Sequence, residues 1–173
     1  MGFDFSFRFA EKKSDLGMLA DFLVEQNPGY PHYEGWVGRA IEEIYSGYKT
    51  AILGFSNGNL VADLIVQPHK KLPRVREIKN LRVHPLLRRR DFAHFMLRQA
   101  EVENQGCLAM MCDVRLNQPE AIGLLEHAGY IPICSTSLYD PNVPDIVMIK
   151  CFDRQTESGI IYSSRELFLG KQD

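Results

Sequence analysis

An Asn-Gly turn between two strand-like runs constrains the fold of this chain more than any other feature. The runs are Tyr48–Phe55 and Leu60–Gln67, and between them Asn57 and Gly58 tolerate the positive φ of a tight hairpin turn. A third apolar run, Arg74–Val83, follows and is closed by a proline. Three consecutive strands with short connections predict an antiparallel sheet at the centre of the molecule.

Helices and further strands flank this hairpin in the sequence. Alternating apolar and polar residues over Phe3–Phe9 predict a half-buried strand, and Ser14 and Asp15 are the predicted N-cap residues of a first helix. The remaining predicted elements are, in chain order, helices around Trp36–Ile44 and at Asp91–Gln105, a strand at Cys107–Val114, a helix at Pro119–Ala128, and strands at Tyr130–Tyr139 and Asp145–Phe152. This order, β-α-α-β-β-β-α-β-α-β-β, predicts an α/β (α+β) fold with a mixed, mostly antiparallel central sheet flanked by helices.

Length and composition indicate one globular domain. The chain has 173 residues, of which 45% are hydrophobic and 24% charged, as is usual for a soluble protein. We expect residues 1–152 to form the domain and residues 153–173 to form a C-terminal extension. Two apolar patches in that extension, at residues 160–162 and 167–169, need a surface to pack on. The surface belongs either to the chain's own domain or to a partner subunit, which leaves a homodimer open.

The sequence predicts a cytoplasmic protein that binds no metal and no membrane. The four cysteines form no CxxC pair, and the five histidines are scattered, so neither set has the spacing of zinc ligands. Free thiols are typical of reducing compartments. No apolar run approaches the ~18 residues that a membrane helix needs.

Basic residues are concentrated in one segment of a nearly neutral chain. Nine Lys or Arg residues and a single acid lie between Lys70 and Arg90, whereas the net charge of the chain is −2. A local basic block favours a compact anion such as a nucleotide phosphate, and its alternative is a solvated basic face. Because the segment contains no aromatic residue, it does not favour nucleic acid as a partner.

The stretch from Ile78 to Arg98 is predicted to be a strand, a short basic loop and a helix. The first turn of a helix presents backbone N–H groups without helical partners, and the helix dipole adds positive potential there. Such a corner binds phosphate through its backbone, and the consecutive arginines Arg88, Arg89 and Arg90 add charge to it. The corner therefore predicts a phosphate or pyrophosphate site.

Two segments resemble signatures of the GNAT superfamily of acyl-CoA-dependent N-acetyltransferases. Leu81–Ala93 is similar to its acetyl-CoA-binding motif, in which L-x-V-x-P and two further residues precede R/Q-x-x-G-x-G/A at a helix start. Asn117, Ala121 and the segment from Leu124 to Tyr130 resemble N-x-x-A-x-x-L-Y-x-x-x-G-F. The element order from Phe3 to Phe152 is also that of the superfamily, so the resemblance implies an acyl-CoA N-acyltransferase-like fold.

The resemblance implies that acetyl-CoA, or another acyl-CoA, is the cofactor. Backbone groups of one short segment would hold the pantetheine arm as an added strand, namely Leu81, Arg82 and Val83. An amide near Leu81 would polarise the thioester carbonyl. Amides of the following loop and helix start would hold the pyrophosphate, namely those of Arg88, Arg89, Arg90, Asp91, Phe92, Ala93 and His94. Asn117 would add a further cofactor contact.

Three positions depart from the superfamily pattern. Asp91 replaces the central glycine of the pyrophosphate loop, where it is able to cap the helix but brings a negative charge toward a diphosphate. Leu125 occupies the position of the tyrosine that often serves as general acid. Asn117 lies one residue early.

Glu77 is the candidate catalytic residue. It precedes Arg88 by eleven positions, the offset at which a glutamate acts as general base in histone-acetylating members of the superfamily. An acceptor amine is protonated at neutral pH and must lose a proton before it attacks a thioester. The alternative is a glutamate that is paired with Arg76 or Lys79.

The resemblance implies transfer of an acetyl or acyl group to an amine by direct attack, without a covalent enzyme intermediate. The acceptor is expected to be a small-molecule or peptide amine, bound beside an aromatic wall of Tyr30, Tyr33 and Trp36, for which helix packing is the alternative role. Asp91 and Leu125 favour a second hypothesis, in which a catalytically degenerate relative keeps the fold and acts as a binding or regulatory module.

Overall fold

A computed structural model describes residues 4–104 and 106–152. The described residues form a seven-stranded sheet with the strand order β1-β2-β3-β4-β5-β7-β6. The strands are β1 (Phe5–Phe9), β2 (Thr50–Ser56), β3 (Asn59–Pro68), β4 (Val75–Val83), β5 (Ala109–Arg115), β6 (Ile131–Asp140) and β7 (Val143–Cys151). Within this sheet β4 and β5 are parallel, and the other neighbouring pairs are antiparallel.

Two helices cover each face of the sheet. The helices are α1 (Lys13–Glu25), α2 (Tyr33–Tyr45), α3 (Phe92–Glu103) and α4 (Pro119–His127). Because successive side chains of a strand point to opposite faces, Leu53 on β2 and Ile65 on β3 pack with α1 and α2, whereas Ile52 and Leu64 pack with α3. The predicted mixed, mostly antiparallel sheet flanked by helices is therefore confirmed.

The local signals that predicted this fold act as expected, with one correction. Asn57 and Gly58 adopt φ values of 50° and 80° in the β2–β3 turn, which is the left-handed geometry that Asn-Gly favours. The N-cap of α1 is Lys12, so Ser14 and Asp15 lie inside the first turn and the N-cap position predicted for them is wrong. Asp15 instead accepts a hydrogen bond from the backbone N–H of Lys12 at 3.2 Å and pairs with Arg8 at 2.8 Å.

The first strand lies at the edge of the sheet and packs its phenylalanines on the start of α3. Phe5 and Phe7 contact the ring of Phe92 at centroid distances of 4.8 and 5.6 Å, and Phe7 also contacts Phe95 at 4.4 Å. This packing fixes the N-terminal end of α3 against the sheet. The predicted C-terminal extension, residues 153–173, lies outside the described residues.

Candidate functional site

Strands β4 and β5 separate partway along their length and form a fork. They pair from Val75 opposite Ala109 to Ile78 opposite Cys112, after which β4 continues to Val83 and β5 to Arg115. The other edge of β4 stays paired with β3 as far as Val83. Among the described residues, the edge of β4 that faces β5 beyond Ile78 has no strand partner, so its backbone is available to an extended ligand.

A β-bulge explains why the strands separate at this point. Ile65 and Val66, which are consecutive on β3, lie opposite Asn80 and Ile78 on β4, so Lys79 is the extra residue. A bulge bends its strand and increases the local twist, which turns the outer half of β4 away from β5. The two strands therefore separate from Lys79, the bulge residue, which immediately follows the last paired residue, Ile78.

The predicted phosphate-binding corner follows the outer end of β4. A 3₁₀ turn at Pro85–Leu87 leads into a loop in which Arg89 and Asp91 both have φ of 61°, and α3 begins at Phe92. The first hydrogen bond of the helix runs from the Phe95 N–H to the Asp91 carbonyl. The amides of the three preceding residues therefore point out of the helix end, as the predicted pyrophosphate site requires.

Asp91 keeps the backbone conformation for which the superfamily uses glycine. Its φ of 61° is left-handed, a conformation that aspartate tolerates better than most residues. Asp91 occupies the N-cap position of α3, but among the described residues its side chain makes no capping hydrogen bond, so the capping role open to it is not used. The carboxylate is exposed at the corner, where it adds negative charge beside the amides.

The three arginines of the corner are exposed, and His94 is half-buried beside them. Arg88 folds back so that its Nε donates to the Val83 carbonyl at 3.2 Å. His94, in the first turn of α3, lies 5.2 Å from His127 of α4, measured between ring centroids. Arg88 thus lies at the junction of the predicted pantetheine edge and the predicted pyrophosphate site.

Glu77 lies on the α1–α2 face, one residue before the last residue of β4 that pairs with β5. Its carboxylate accepts a hydrogen bond from Gln67 Nε2 at 2.6 Å and lies 3.4 Å from His69 Nε2 and 3.9 Å from Lys79 Nζ. His69 Nδ1 accepts the backbone N–H groups of residues 71 and 72, so its Nε2 carries the proton that faces Glu77. The alternative pairing with Lys79 is present, and the side chain is still about one-quarter exposed, at 23%.

The predicted aromatic wall is divided between the fork and the helix pair. Tyr30, in the α1–α2 connection, lies 5.7 Å from Tyr139 of β6 between ring centroids. Tyr33 is buried at the start of α2, where its ring stacks on Trp36 at 5.4 Å. Trp36 packs on the α1–α2 side beside Lys49, so Tyr30 and Tyr33 approach the fork more closely than Trp36 does.

A buried polar network supports the outer half of β4 on the same face. Asn80 donates to the carboxylate of the fully buried Asp63 at 2.6 Å, and Arg82 Nε donates to the Asn80 side-chain oxygen at 3.0 Å. Arg82 also donates to the carbonyl of Gln26, where α1 ends, and lies over the ring of Tyr33. Burial raises the pKa of Asp63 to about 7, although the hydrogen bond from Asn80 opposes this shift. The backbone of Arg82 thus lies on the predicted pantetheine edge, while its side chain contacts Asn80, Gln26 and Tyr33 on the α1–α2 face.

Sequence reasoning missed the charged residues that β5, β6 and β7 bring to the fork. Asp113 is the first residue of β5 beyond the last pair with β4, and it lies 3.7 Å from Lys79 across the fork. Burial and the neighbouring Asp113 carboxylate raise the pKa of Tyr139. A signal was present, because Asp113 and Arg115 alternate with apolar residues in an otherwise apolar run.

The two remaining departures from the superfamily pattern lie at different depths. Leu125 of α4 is buried in the core beneath α3, at 5% exposure. Asn117 is exposed in the turn between β5 and α4.

Among the described residues no cluster of three or more potential metal ligands exists, and no helix there is long and apolar enough to cross a membrane.

A sheet that forks between its fourth and fifth strands beside an open helix start is the arrangement expected of the acyl-CoA N-acyltransferase-like fold. Residues 16–130 match the family model described as the acetyltransferase (GNAT) family, and the chain belongs to that family. Members of this family use acetyl-CoA or another acyl-CoA as the group donor, which confirms the predicted cofactor. No curated protein sequence matches the chain.

Solved structures share the fold at low sequence identity. A protein from Desulfovibrio desulfuricans described as of the GNAT acetyltransferase family superposes with a TM-score of 0.75 at 11% identity, over 86% of this chain and 99% of the other. The ribosomal-protein-S18-alanine N-acetyltransferase of Escherichia coli gives 0.71 at 18%, over 88% and 97%. An aminoglycoside 6'-N-acetyltransferase complexed with coenzyme A gives 0.70 at 16%, over 87% and 98%. These comparisons give no support to the alternative of a degenerate binding module.

Proposed function

We propose that the chain transfers an acetyl group from acetyl-CoA to an amine by direct attack within the β4–β5 fork. The observation that carries this proposal is the separation of the two strands beyond Ile78 and Cys112. The freed edge at Leu81, Arg82 and Val83 would pair with the pantetheine arm. The corner from Arg88 to His94 would then hold the pyrophosphate.

Glu77 is the proposed general base. Its position places a carboxylate on the α1–α2 face beside the start of the fork, where the thioester would lie. The acceptor ammonium would give one proton to Glu77, directly or through a water, and the neutral nitrogen would attack the carbonyl carbon. As the C–N bond forms and the C–S bond breaks, the leaving thiolate would take the second N–H proton of the intermediate.

The acceptor would approach from the α1–α2 face. Tyr30 and Tyr33 would form the wall nearest to the thioester, and Trp36 would support that wall from behind. Asn117, exposed beyond β5, is the proposed further contact to the cofactor. The α3–α4 face offers no equivalent approach, because the apolar core fills it with residues such as Cys112 and Met148.

We expect wild-type protein to bind acetyl-CoA in a calorimetric titration and Asp91→Gly to bind it more tightly. Removing a negative charge about 4 Å from a phosphate in water stabilises the complex by roughly 1 kcal/mol, or about fivefold in affinity. Asp91→Asn is the matched control, because asparagine also tolerates the left-handed backbone but carries no charge. Equal gains in the two variants identify charge as the cause, and a gain confined to glycine identifies backbone freedom.

The same titration tests the proposal itself. If neither wild-type protein nor Asp91→Gly binds acetyl-CoA, the proposed function is wrong. If Asp91→Gly binds and wild-type protein does not, the pyrophosphate corner has been disabled by a single side chain. Binding by both, together with release of free CoA in the presence of an amine, supports transfer.

A further inference from the structure

Two arginines lie on the α1–α2 face beyond the last β4–β5 pair, and the guanidinium group of each lies over a tyrosine ring. Arg82 of β4 lies 5.1 Å from the ring centroid of Tyr33, and Arg115 of β5 lies 3.9 Å from that of Tyr30. Both guanidinium groups act on the phenol of Tyr30, so they approach the same region. The open end of the fork therefore places two guanidinium groups against aromatic rings on the acceptor side.

Buried polar atoms without partners collect in this region. Among the described residues, the buried atoms that lack a hydrogen-bond partner include Arg115 Nε, Asp145 Oδ1, Asp63 Oδ1 and the Tyr33 hydroxyl. Asp145 is 1% exposed, lies opposite Arg115 in the β5–β7 register, and uses its other oxygen to accept the Leu138 N–H at 3.0 Å. Buried polar groups are normally satisfied, so the donors and acceptors left over on one face are positions for ordered water or for a polar ligand.

The charges follow a fixed order along β5. Asp113 is the first residue of β5 after its last pair with β4. Arg115 comes two residues later, which places its Cα about 6–7 Å farther from that pair. Asp113 and Arg115 share the α1–α2 face, since Cys112 and Val114 pack into the opposite core. A ligand in this cleft would therefore meet a carboxylate near the thioester and a guanidinium farther from it.

We propose that the acceptor is a small zwitterion, an amino acid whose ammonium group binds at Asp113 and whose carboxylate binds at Arg115. This inference rests on the proposed function and names the substrate class of the same site. Lys79 Nζ lies 3.7 Å from the Asp113 carboxylate and places it at the inner end of the cleft. Arg82, already fixed by Asn80 and Gln26, adds a second positive charge near the carboxylate. A polycation would bring its second ammonium group against these arginines and be repelled.

Matched pairs of acceptors test this assignment. Phenylalanine is compared with phenethylamine, and β-alanine with ethylamine, by following CoA release at saturating acetyl-CoA. We expect wild-type protein to prefer the carboxylate member by at least about tenfold in kcat/KM, because a guanidinium–carboxylate pair is a strong, directional contact. Arg115→Gln is expected to abolish this preference, because it raises KM for the amino acid and does not change KM for the decarboxylated amine. Arg98→Gln, on the exposed surface of α3, is the matched control.

Other outcomes separate the two levels of the proposal. If acetyl-CoA binds but the decarboxylated amines, spermidine or an N-terminal peptide are preferred, the amino-acid assignment is wrong and the transferase stands. The same holds if acetyl-CoA binds and no amino acid is acetylated. If Arg115→Gln slows both members of a pair equally, Arg115 has a structural role and does not read the carboxylate. Failure to bind acetyl-CoA overturns the proposed function and this inference together.

Discussion

Replacing Glu77 by glutamine is expected to lower kcat/KM for acetyl transfer by about 10²–10⁴-fold, the usual contribution of a general base. The substitution keeps the size of the side chain and its place beside Gln67 but removes the group that accepts the proton. Affinity for acetyl-CoA should stay unchanged, because Glu77 precedes the part of β4 that would hold the cofactor. The measurement is kcat/KM for the best acceptor of an amine panel, followed at saturating acetyl-CoA for wild type and for Glu77→Gln.

Arg76→Gln is the matched control for this variant. Arg76 is the preceding residue of β4, so its side chain points to the opposite face of the sheet. The control should keep wild-type activity. If Glu77→Gln retains more than half of the activity, or loses it together with acetyl-CoA binding, Glu77 serves the ion pair with Lys79 and not proton transfer.

Replacing the buried Asp63 by asparagine is expected to change how the free energy of unfolding depends on pH. Burial raises the pKa of Asp63 from 3.8 to about 7, so between these values the folded protein keeps a proton that the unfolded chain has lost. The stability that this proton contributes is present below pH 4 and is lost as pH rises through 7. Relative to wild type, Asp63→Asn should therefore gain roughly 1.4 kcal/mol per pH unit across this window.

Urea unfolding at pH 4.5, 6 and 8 measures this difference. Asparagine keeps an oxygen that accepts from Asn80, so the network with Arg82 is preserved. Asp21→Asn, at an exposed position of α1, should leave the pH dependence of unfolding at its wild-type slope. A parallel pH dependence of wild type and Asp63→Asn would show that Asp63 stays ionised in the folded protein.

The sequence predicted the element order because each boundary carries a local signal. The Asn57-Gly58 turn, the positive φ of Gly129 after α4 and the alternation along β1 require no knowledge of distant residues. The N-cap of α1 escaped prediction because Asp15 was recruited by Arg8 of β1 and by the Lys12 amide, a choice that depends on tertiary contact. Motif spacing likewise identified the corner at Asp91, whose left-handed backbone the structure retains.

Sequence reasoning predicted few of the residues on the acceptor side of the fork. Asp63, Asp113, Arg115, Tyr139 and Asp145 come from four different strands, and strand pairing alone brings them together. The bulge at Lys79 is equally invisible locally, since it is defined by the register against β3. The two family signatures span Leu81–Ala93 and Asn117–Tyr130, and they include none of these acceptor-side residues.

The most direct test of the central claim is a titration of isotopically labelled protein with CoA, followed through its backbone amide resonances. Binding in the fork predicts shifted amides in two segments, Lys79–Val83 along the free edge of β4 and Phe92–His94 at the start of α3, with little change along β1. Protection of the β4 amides from hydrogen exchange should accompany these shifts. Unchanged amide resonances in both segments would contradict the assignment of the fork as the acyl-CoA site. Shifts confined to the opposite end of the sheet, around Thr50 and Pro68, would contradict it as well.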